Sequence, residues 1–178
     1  MKQFSWFGNC AYGSLLDGYS YLMDISVCMV NFNSEKYLVK CLQSLENAIS
    51  PLSYEVIIVD NKSKVSTMKL LRKHFNDINF VCNDYNLGYT SEINKAMKLG
   101  RGKYKLILNP DTILKDKSIF RLVNFMKTNK EIGIAGPKVL NEDGSFQKSC
   151  RRGLARPFAV FCYFLGLAKL FPKNKNLT

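Results

Sequence analysis

Short apolar runs along this chain alternate with stretches in which apolar residues recur at three- and four-residue steps. The run Ile25–Val30 predicts a buried strand, closed by the turn-forming Asn31-Phe32-Asn33-Ser34. Tyr37, Leu38, Cys41, Leu42, Leu45 and Ile49 then fall on one helical face, and Pro51 helps to end that helix. Val56–Val59 predicts a second buried strand, closing on Asp60-Asn61-Lys62-Ser63. A helix from about Ser66 to Phe75 should turn Met68, Leu71 and Phe75 inward and leave His74, the only histidine, on the surface. Asn79–Cys82 supplies a third strand and Asn83–Gly88 a polar loop, after which a helix over Ser91–Leu99 should end at Gly100 in a left-handed cap. Tyr104–Leu108 is a fourth strand. Asp116 then stands where it can cap a helix carrying Ile119, Leu122, Val123 and Met126. Gly133, Gly136 and Pro137 interrupt an extended segment over Ile132–Leu140, Asn141–Gly144 is a turn signal, and Phe146–Cys150 predicts a short returning strand.

Strands alternating with helices imply an α/β fold of parallel βαβ units, with helices on both faces of a mostly parallel sheet. In such sheets ligands bind beyond the carboxyl ends of the strands, so the turns after the first, second and fourth strands should line one site. We assign residues 23–150 to this domain. Residues 1–22 read as an extension: Gly8, Asn9, Gly13, Asp17 and Gly18 break the unbroken apolar segment a signal peptide needs, and Met23 reads as the start of the patterned chain. Residues 151–178 form a basic and apolar tail, apolar and aromatic from Leu154 to Phe171 but interrupted by Arg156-Pro157 and Lys169. That pattern suits an amphipathic helix lying on a membrane surface, or one covering a partner, better than a helix spanning a bilayer.

Lys and Arg outnumber Asp and Glu by 26 to 14, so an anionic partner is expected. Nucleic acid is not the expected one, because zinc-finger spacing, an aromatic RNA-binding motif and a dense basic helix are all missing from the sequence. No G-x-x-x-x-G-K-[ST] loop and no G-x-G-x-x-G after a strand is present, which disfavours kinase-like and dinucleotide sites. Cys10, Cys28, Cys41, Cys82, Cys150 and Cys162 form no C-x-x-C pair, so free thiols in a reducing cytosol are expected, with Cys28 and Cys41 acting as small buried hydrophobes.

What remains is a set of short-armed polar residues: Asn31, Asn33, Asp60, Asn61, Asn86, Asn94, Asn109 and Asp111. They sit in motifs that occur in order, Val30-Asn31-Phe32-Asn33, Val59-Asp60-Asn61-Lys62-Ser63, Asn86-Leu87-Gly88-Tyr89, Leu108-Asn109-Pro110-Asp111, and Gly136-Pro137-Lys138 leading to Asp143-Gly144-Ser145. In these motifs the chain resembles the inverting glycosyltransferases of GT-A fold, in their rhamnosyltransferase-like branch, over roughly residues 24–160.

The resemblance implies a nucleotide-sugar site made by Asn31, Phe32, Asn33, Asp60, Asn61, Asn86, Gly88, Asn94 and Asn109. Phe32 would flank the nucleobase and Asp60 would hydrogen-bond it, while a plain turn or helix-capping role for Asp60 stays open. Asn109-Pro110-Asp111 matches the family's metal motif, with Asp111 as the carboxylate ligand of Mg²⁺ or Mn²⁺; its alternative is an ordinary turn. The family's catalytic base lies in an acidic segment well beyond that motif. No such segment precedes Thr178, so no base is assigned, the acceptor-side half is expected to be missing, and a fragment that only binds a nucleotide diphosphate is the alternative function. Ser91-Glu92 stands where many relatives have Gly-Gly, and Glu92 is expected to face solvent rather than the sugar. Arg151 and Arg152 resemble a family Cys-Arg-Arg segment, and either an approach to phosphates or a plain solvated basic surface is open for them. The implied partners are a UDP- or dTDP-linked sugar and an acceptor glycan or lipid-linked sugar, in surface-polysaccharide assembly at the cytoplasmic face of the cell membrane.

Overall fold

The computed structural model describes residues 21–63, 67–72, 75, 78–147 and 150. It divides into two compact units, residues 1–137 and 138–178. The N-terminal extension to residue 20, His74 and the tail 151–178 with Arg151 and Arg152 lie outside the described residues.

In the first unit the order is β1 (Met23–Asn31), α1 (Glu35–Ile49), β2 (Tyr54–Asp60), α2 (Thr67–Arg72), β3 (Ile78–Cys82), α3 (Tyr89–Leu99), β4 (Gly102–Ile107) and α4 (Ser118–Thr128). The strands form one sheet in the order β3-β2-β1-β4, and each neighbouring pair is parallel. β1 and β2 read as unbroken apolar runs because both of their faces are covered. On one face Ile25, Val27, Met29, Val56 and Ile58 meet Leu38, Cys41, Leu42 and Leu45 of α1 and Ile119 and Val123 of α4. On the other face Cys28, Val30, Ile57 and Val59 meet Ile93 and Ala96 of α3. The predicted α/β architecture is therefore present, with helices on both faces.

All four strands run the same way, so their carboxyl ends share one edge. The chain builds outward from β1 to β3 and then returns to place β4 on the other side of β1. The crevice between the carboxyl ends of β1 and β4 is consequently the topological switch point, where open α/β sheets bind ligands.

The opposite end of the strands carries a polar lock. Ser26, fully buried, donates to Glu55 Oε1 at 2.9 Å and accepts from the Gly102 amide at 2.7 Å. Arg101 places its side chain on Glu55 Oε2 at 3.2 Å. A Cβ on Gly102 would lie 2.5 Å from the Ile25 carbonyl carbon and one on Gly100 would lie 2.7 Å from Ser26 Cβ, so both glycines are dictated by close approach to β1.

Several expectations need correction. Gly100 is not a left-handed cap: its φ of −69° and ψ of 139° are extended, and it is required by the contact with Ser26 instead. Asp116 does not cap α4; Lys117 holds that position at φ 54°, with no side-chain cap hydrogen bond. Tyr37 is exposed, since α1 leaves the strand-end turn in its first turn before settling on the sheet at Leu38. α2 is described over Thr67–Arg72, and the Phe75 amide donates to the Leu71 carbonyl at 2.8 Å with helical spacing, as expected of a helix reaching Phe75; Leu71 is buried and Phe75 packs on the core. Met68's side chain lies outside the described residues. Of the short returning strand expected over Phe146–Cys150, the described residues show only an isolated antiparallel bridge of Phe146 to Leu140, the last residue of segment 132–140.

That bridge belongs to the second unit. Its turn is closed by Asn141 donating to Ser145 O at 2.9 Å, with Gly144 at φ 78°. Among the described residues no helix is long and apolar enough to cross a membrane.

Candidate functional site

At the end of β1 and β2, Asn31 and Asp60 are register partners and both are buried. Asn31 Nδ2 donates to Asp60 Oδ1 at 2.6 Å and lies 2.9 Å from Ser63 Oγ and 3.1 Å from Thr67 Oγ1. Ser63 completes the turn by donating its hydroxyl to Asp60 Oδ1 at 2.6 Å and its amide to Oδ2 at 3.1 Å. The Ser63 hydroxyl also accepts the Asn33 amide at 3.0 Å, and Thr67 donates to Glu35 Oε1 at 2.8 Å. Asp60 thus ties the turns after β1 and β2 to the first turns of α1 and α2. Asn31 Oδ1 is buried and has no hydrogen-bond partner.

Successive strand residues point to opposite faces of a sheet, so Asn61 serves the other layer. Its Nδ2 donates to Asn86 Oδ1 at 2.6 Å and its Oδ1 accepts the Leu87 amide at 3.0 Å. Asn86 Oδ1 accepts the Gly88 amide at 2.9 Å, which fixes the entry into α3. Gly88 has φ 84° and open space where a Cβ would stand. Tyr89, the first residue of α3, donates its hydroxyl to Asn109 Oδ1 at 3.4 Å. The loop after β3 is thereby tied to the loop after β4.

The turn after β4 begins with Asn109, whose carbonyl accepts the Thr112 amide at 3.2 Å and the Cys41 thiol at 3.6 Å. Asp111 Oδ1 is buried without a hydrogen-bond partner. Burial pushes the Cys41 thiol up to about 12, and the Asp111 charge adds to that shift, so the thiol is a neutral packing group beside the turn. Cys28 is likewise pushed up to about 12 by burial. Neither offers a nucleophile at neutral pH.

The structure therefore links Asn31, Asn33, Asp60, Asn61, Asn86, Gly88 and Asn109 by hydrogen bonds along the carboxyl edge of the sheet, with Asp111 two residues past Asn109. Phe32 and Leu87 are about half exposed at this edge, and Tyr85 is more exposed still. Asn94 stands exposed on the second turn of α3, outside the network. Asn33 and Lys62, at φ 52° and 62°, are left-handed residues in these turns, a conformation that side chains rarely adopt outside tightly determined sites.

The expectation that Glu92 faces solvent is overturned. It is 0% exposed, and neither carboxylate oxygen has a hydrogen-bond partner. Tyr89, Glu92, Ile93 and Ala96 share the face of α3 that lies against the sheet, so the position is buried by helical phase. The sequence concealed this because a charged residue at one position of an otherwise mixed helix reads as surface. Sequence reasoning quoted Ser63 in a strand-end motif without giving it a role and passed over Thr67; their hydroxyls complete the Asp60 cluster, and the Asp-x-x-Ser spacing of a side-chain-closed turn was the signal available for Ser63.

The chain matches Glycosyl transferase family 2 over residues 26–175. It is 31% identical over 158 residues, 84% of its own length, to a poly(ribitol-phosphate) beta-glucosyltransferase of Bacillus spizizenii, of which it covers 25%. Residues 1–349 of Staphylococcus aureus TarS, solved with UDP-GlcNAc, are 27% identical with a TM-score of 0.52, over 60% of this chain and 32% of that one. A mannosyltransferase of Pyrobaculum calidifontis, solved with GDP-Man and Mn²⁺, has the same fold, with a TM-score of 0.52 at 20% identity over 61% of this chain and 32% of that one. This chain spans 45%, 25% and 35% of the lengths of three curated relatives that it matches. With its parallel sheet flanked by helices and its polar turns at the carboxyl edge, it has the GT-A fold, and it belongs to glycosyl transferase family 2.

Proposed function

We propose that this chain is the donor-binding part of an inverting glycosyltransferase that uses a nucleotide diphosphate sugar in the assembly of a surface polysaccharide. The observation that carries this reading is the joining of the turns after β1, β2, β3 and β4 into one polar edge at the switch point, ending in the unpartnered oxygen of Asp111. Phe32, half exposed beside the Asn31–Asp60 pair, offers a flat apolar surface for a nucleobase. Asp60 holds Asn31 and Ser63 in place and presents the acceptor oxygens that a base N–H requires. The wall-polymer relatives and the UDP-GlcNAc complex of TarS favour a UDP-linked donor over a dTDP-linked one.

A divalent cation fits the turn after β4. The donor set there is all oxygen, from the Asp111 carboxylate and the Asn109 side chain, as Mg²⁺ and Mn²⁺ prefer. Among the described residues no three His, Cys, Asp or Glu side chains cluster, so the donor's phosphates and water would complete the coordination. When bound, the cation offsets the charge that builds on the departing diphosphate.

In the reaction the acceptor hydroxyl attacks the anomeric carbon from the face opposite the nucleotide. The bond to the diphosphate breaks with its electron pair on the diphosphate, and the hydroxyl proton passes to a carboxylate base. Exposed Asp116, Glu142 and Asp143 stand outside the hydrogen-bonded network, and no base is assigned among them. The Asn-Pro-Asp form of the metal motif favours the rhamnosyltransferase-like branch, and the basic, apolar segment 154–171 favours contact with the cytoplasmic face of a membrane.

The test is calorimetric titration of the chain with UDP, dTDP and GDP, each with and without Mn²⁺. Metal-supported binding of one of them is expected. Binding of none of the three under either condition would refute the reading.

A further inference from the structure

Taking a carboxylate out of water without a partner costs several kcal/mol, and stable proteins pair or hydrogen-bond such groups. Glu92 breaks that rule, with both oxygens buried and unpartnered. Its place in the fold is specific. It lies on the sheet-facing side of α3, one turn after Tyr89, whose hydroxyl reaches Asn109 across the switch-point crevice. Helical side chains lean toward the helix N-terminus, which aims the Glu92 carboxylate back at the level of Tyr89 and the strand ends. The entry to α3 just ahead of it is Gly88, with open space on its side-chain side. The N-terminal end of α3 also favours a negative charge there.

We propose that Glu92 recognises the donor sugar, its carboxylate turning into the crevice to accept hydrogen bonds from hydroxyls of the hexose ring. This rests on the donor-binding reading above and adds a specificity-determining residue to the same site. A carboxylate repels phosphate and only accepts hydrogen bonds, so among the parts of a nucleotide sugar it selects hydroxyls. The ribose also carries hydroxyls, and the experiment separates the two.

Glu92→Gln and Glu92→Leu are compared with the wild-type chain for melting temperature and for affinity toward UDP, UDP-glucose and UDP-N-acetylglucosamine with Mn²⁺. The expected result has three parts. Wild type binds one sugar nucleotide more tightly than UDP; both variants lose about tenfold of that affinity while binding UDP as wild type does; and neither variant melts lower, because the substitution removes an unpartnered buried charge. Unchanged sugar-nucleotide affinity in both variants overturns the proposal. So does a parallel loss of UDP affinity, which assigns Glu92 to the ribose or to the fold, and so does a wild type that binds UDP and both sugar nucleotides equally. Failure of the wild type to bind UDP at all refutes the donor-binding reading itself.

Discussion

Asp60 and Asp111 are carboxylates at neighbouring strand ends with opposite surroundings. Asp60 is enclosed by Asn31 and Ser63, so its removal leaves buried donors unsatisfied. Asp60→Ala should therefore lower stability by about 1–3 kcal/mol in urea unfolding as well as weaken UDP binding; full stability with weakened binding would show that the cluster does not depend on its carboxylate. Asp111 has one oxygen with no partner to lose. Asp111→Ala should leave the melting temperature within a few degrees of wild type and remove the gain in UDP affinity that Mn²⁺ confers. A variant that keeps that gain would take the cation away from Asp111. The motifs made both residues legible in the sequence. What the sequence did not show was the difference between them, because Asp60 is enclosed by Asn31 and by the hydroxyls of Ser63 and Thr67, and no motif gave those hydroxyls a role.

At the scale of elements, the strands and the strand-end turns were readable because two-sided burial writes continuous apolar runs and because the turns are rich in Asn. Helix ends were read less well. Gly100 and Asp116 have the residue types of caps, yet Gly100 answers to the Ser26 contact made by long-range pairing of β1 with β4, and Asp116 precedes a left-handed Lys117. The lock around Glu55 was not legible either, since its partners Ser26 and Arg101 are far apart in sequence. Burial alone would raise the Glu55 carboxyl, but hydrogen bonds from the Arg101 amide, Ser26 and the Arg101 guanidinium outweigh it and hold the group below its ordinary 4.5. A carboxyl with a depressed folded value adds stability that is fully present above 4.5 and is lost as pH falls through the lowered value. Thermal melts of wild type and Glu55→Gln should therefore differ most at neutral pH and converge below pH 4.5. A gap that persists undiminished in acid would contradict the assignment.

For the whole molecule, the family and the fold were legible because motifs and alternating elements agree on one parallel sheet, while Glu92 was not, because its burial depends on how α3 meets that sheet. The chain alone should bind UDP with Mn²⁺ and transfer sugar at close to background, measured as labelled product from UDP-glucose or UDP-N-acetylglucosamine; a base typically contributes about 10²–10⁴-fold. Robust transfer would direct attention to Asp116, Glu142 and Asp143. The register of β1 and β2 has a further consequence for anyone who recombines this domain with its relatives. Ser26 faces Glu55 at one end of the pair and Asn31 faces Asp60 at the other, on opposite faces of the sheet. Sliding either strand by one residue turns both pairs to the wrong face, and sliding it by two separates both pairs and leaves one member of each opposite an apolar residue. A chimera whose crossover falls between Asn31 and Tyr54 must match both pairs from two parents at once. Crossovers placed outside residues 23–63 carry both keys on one parental segment and should give the soluble hybrids.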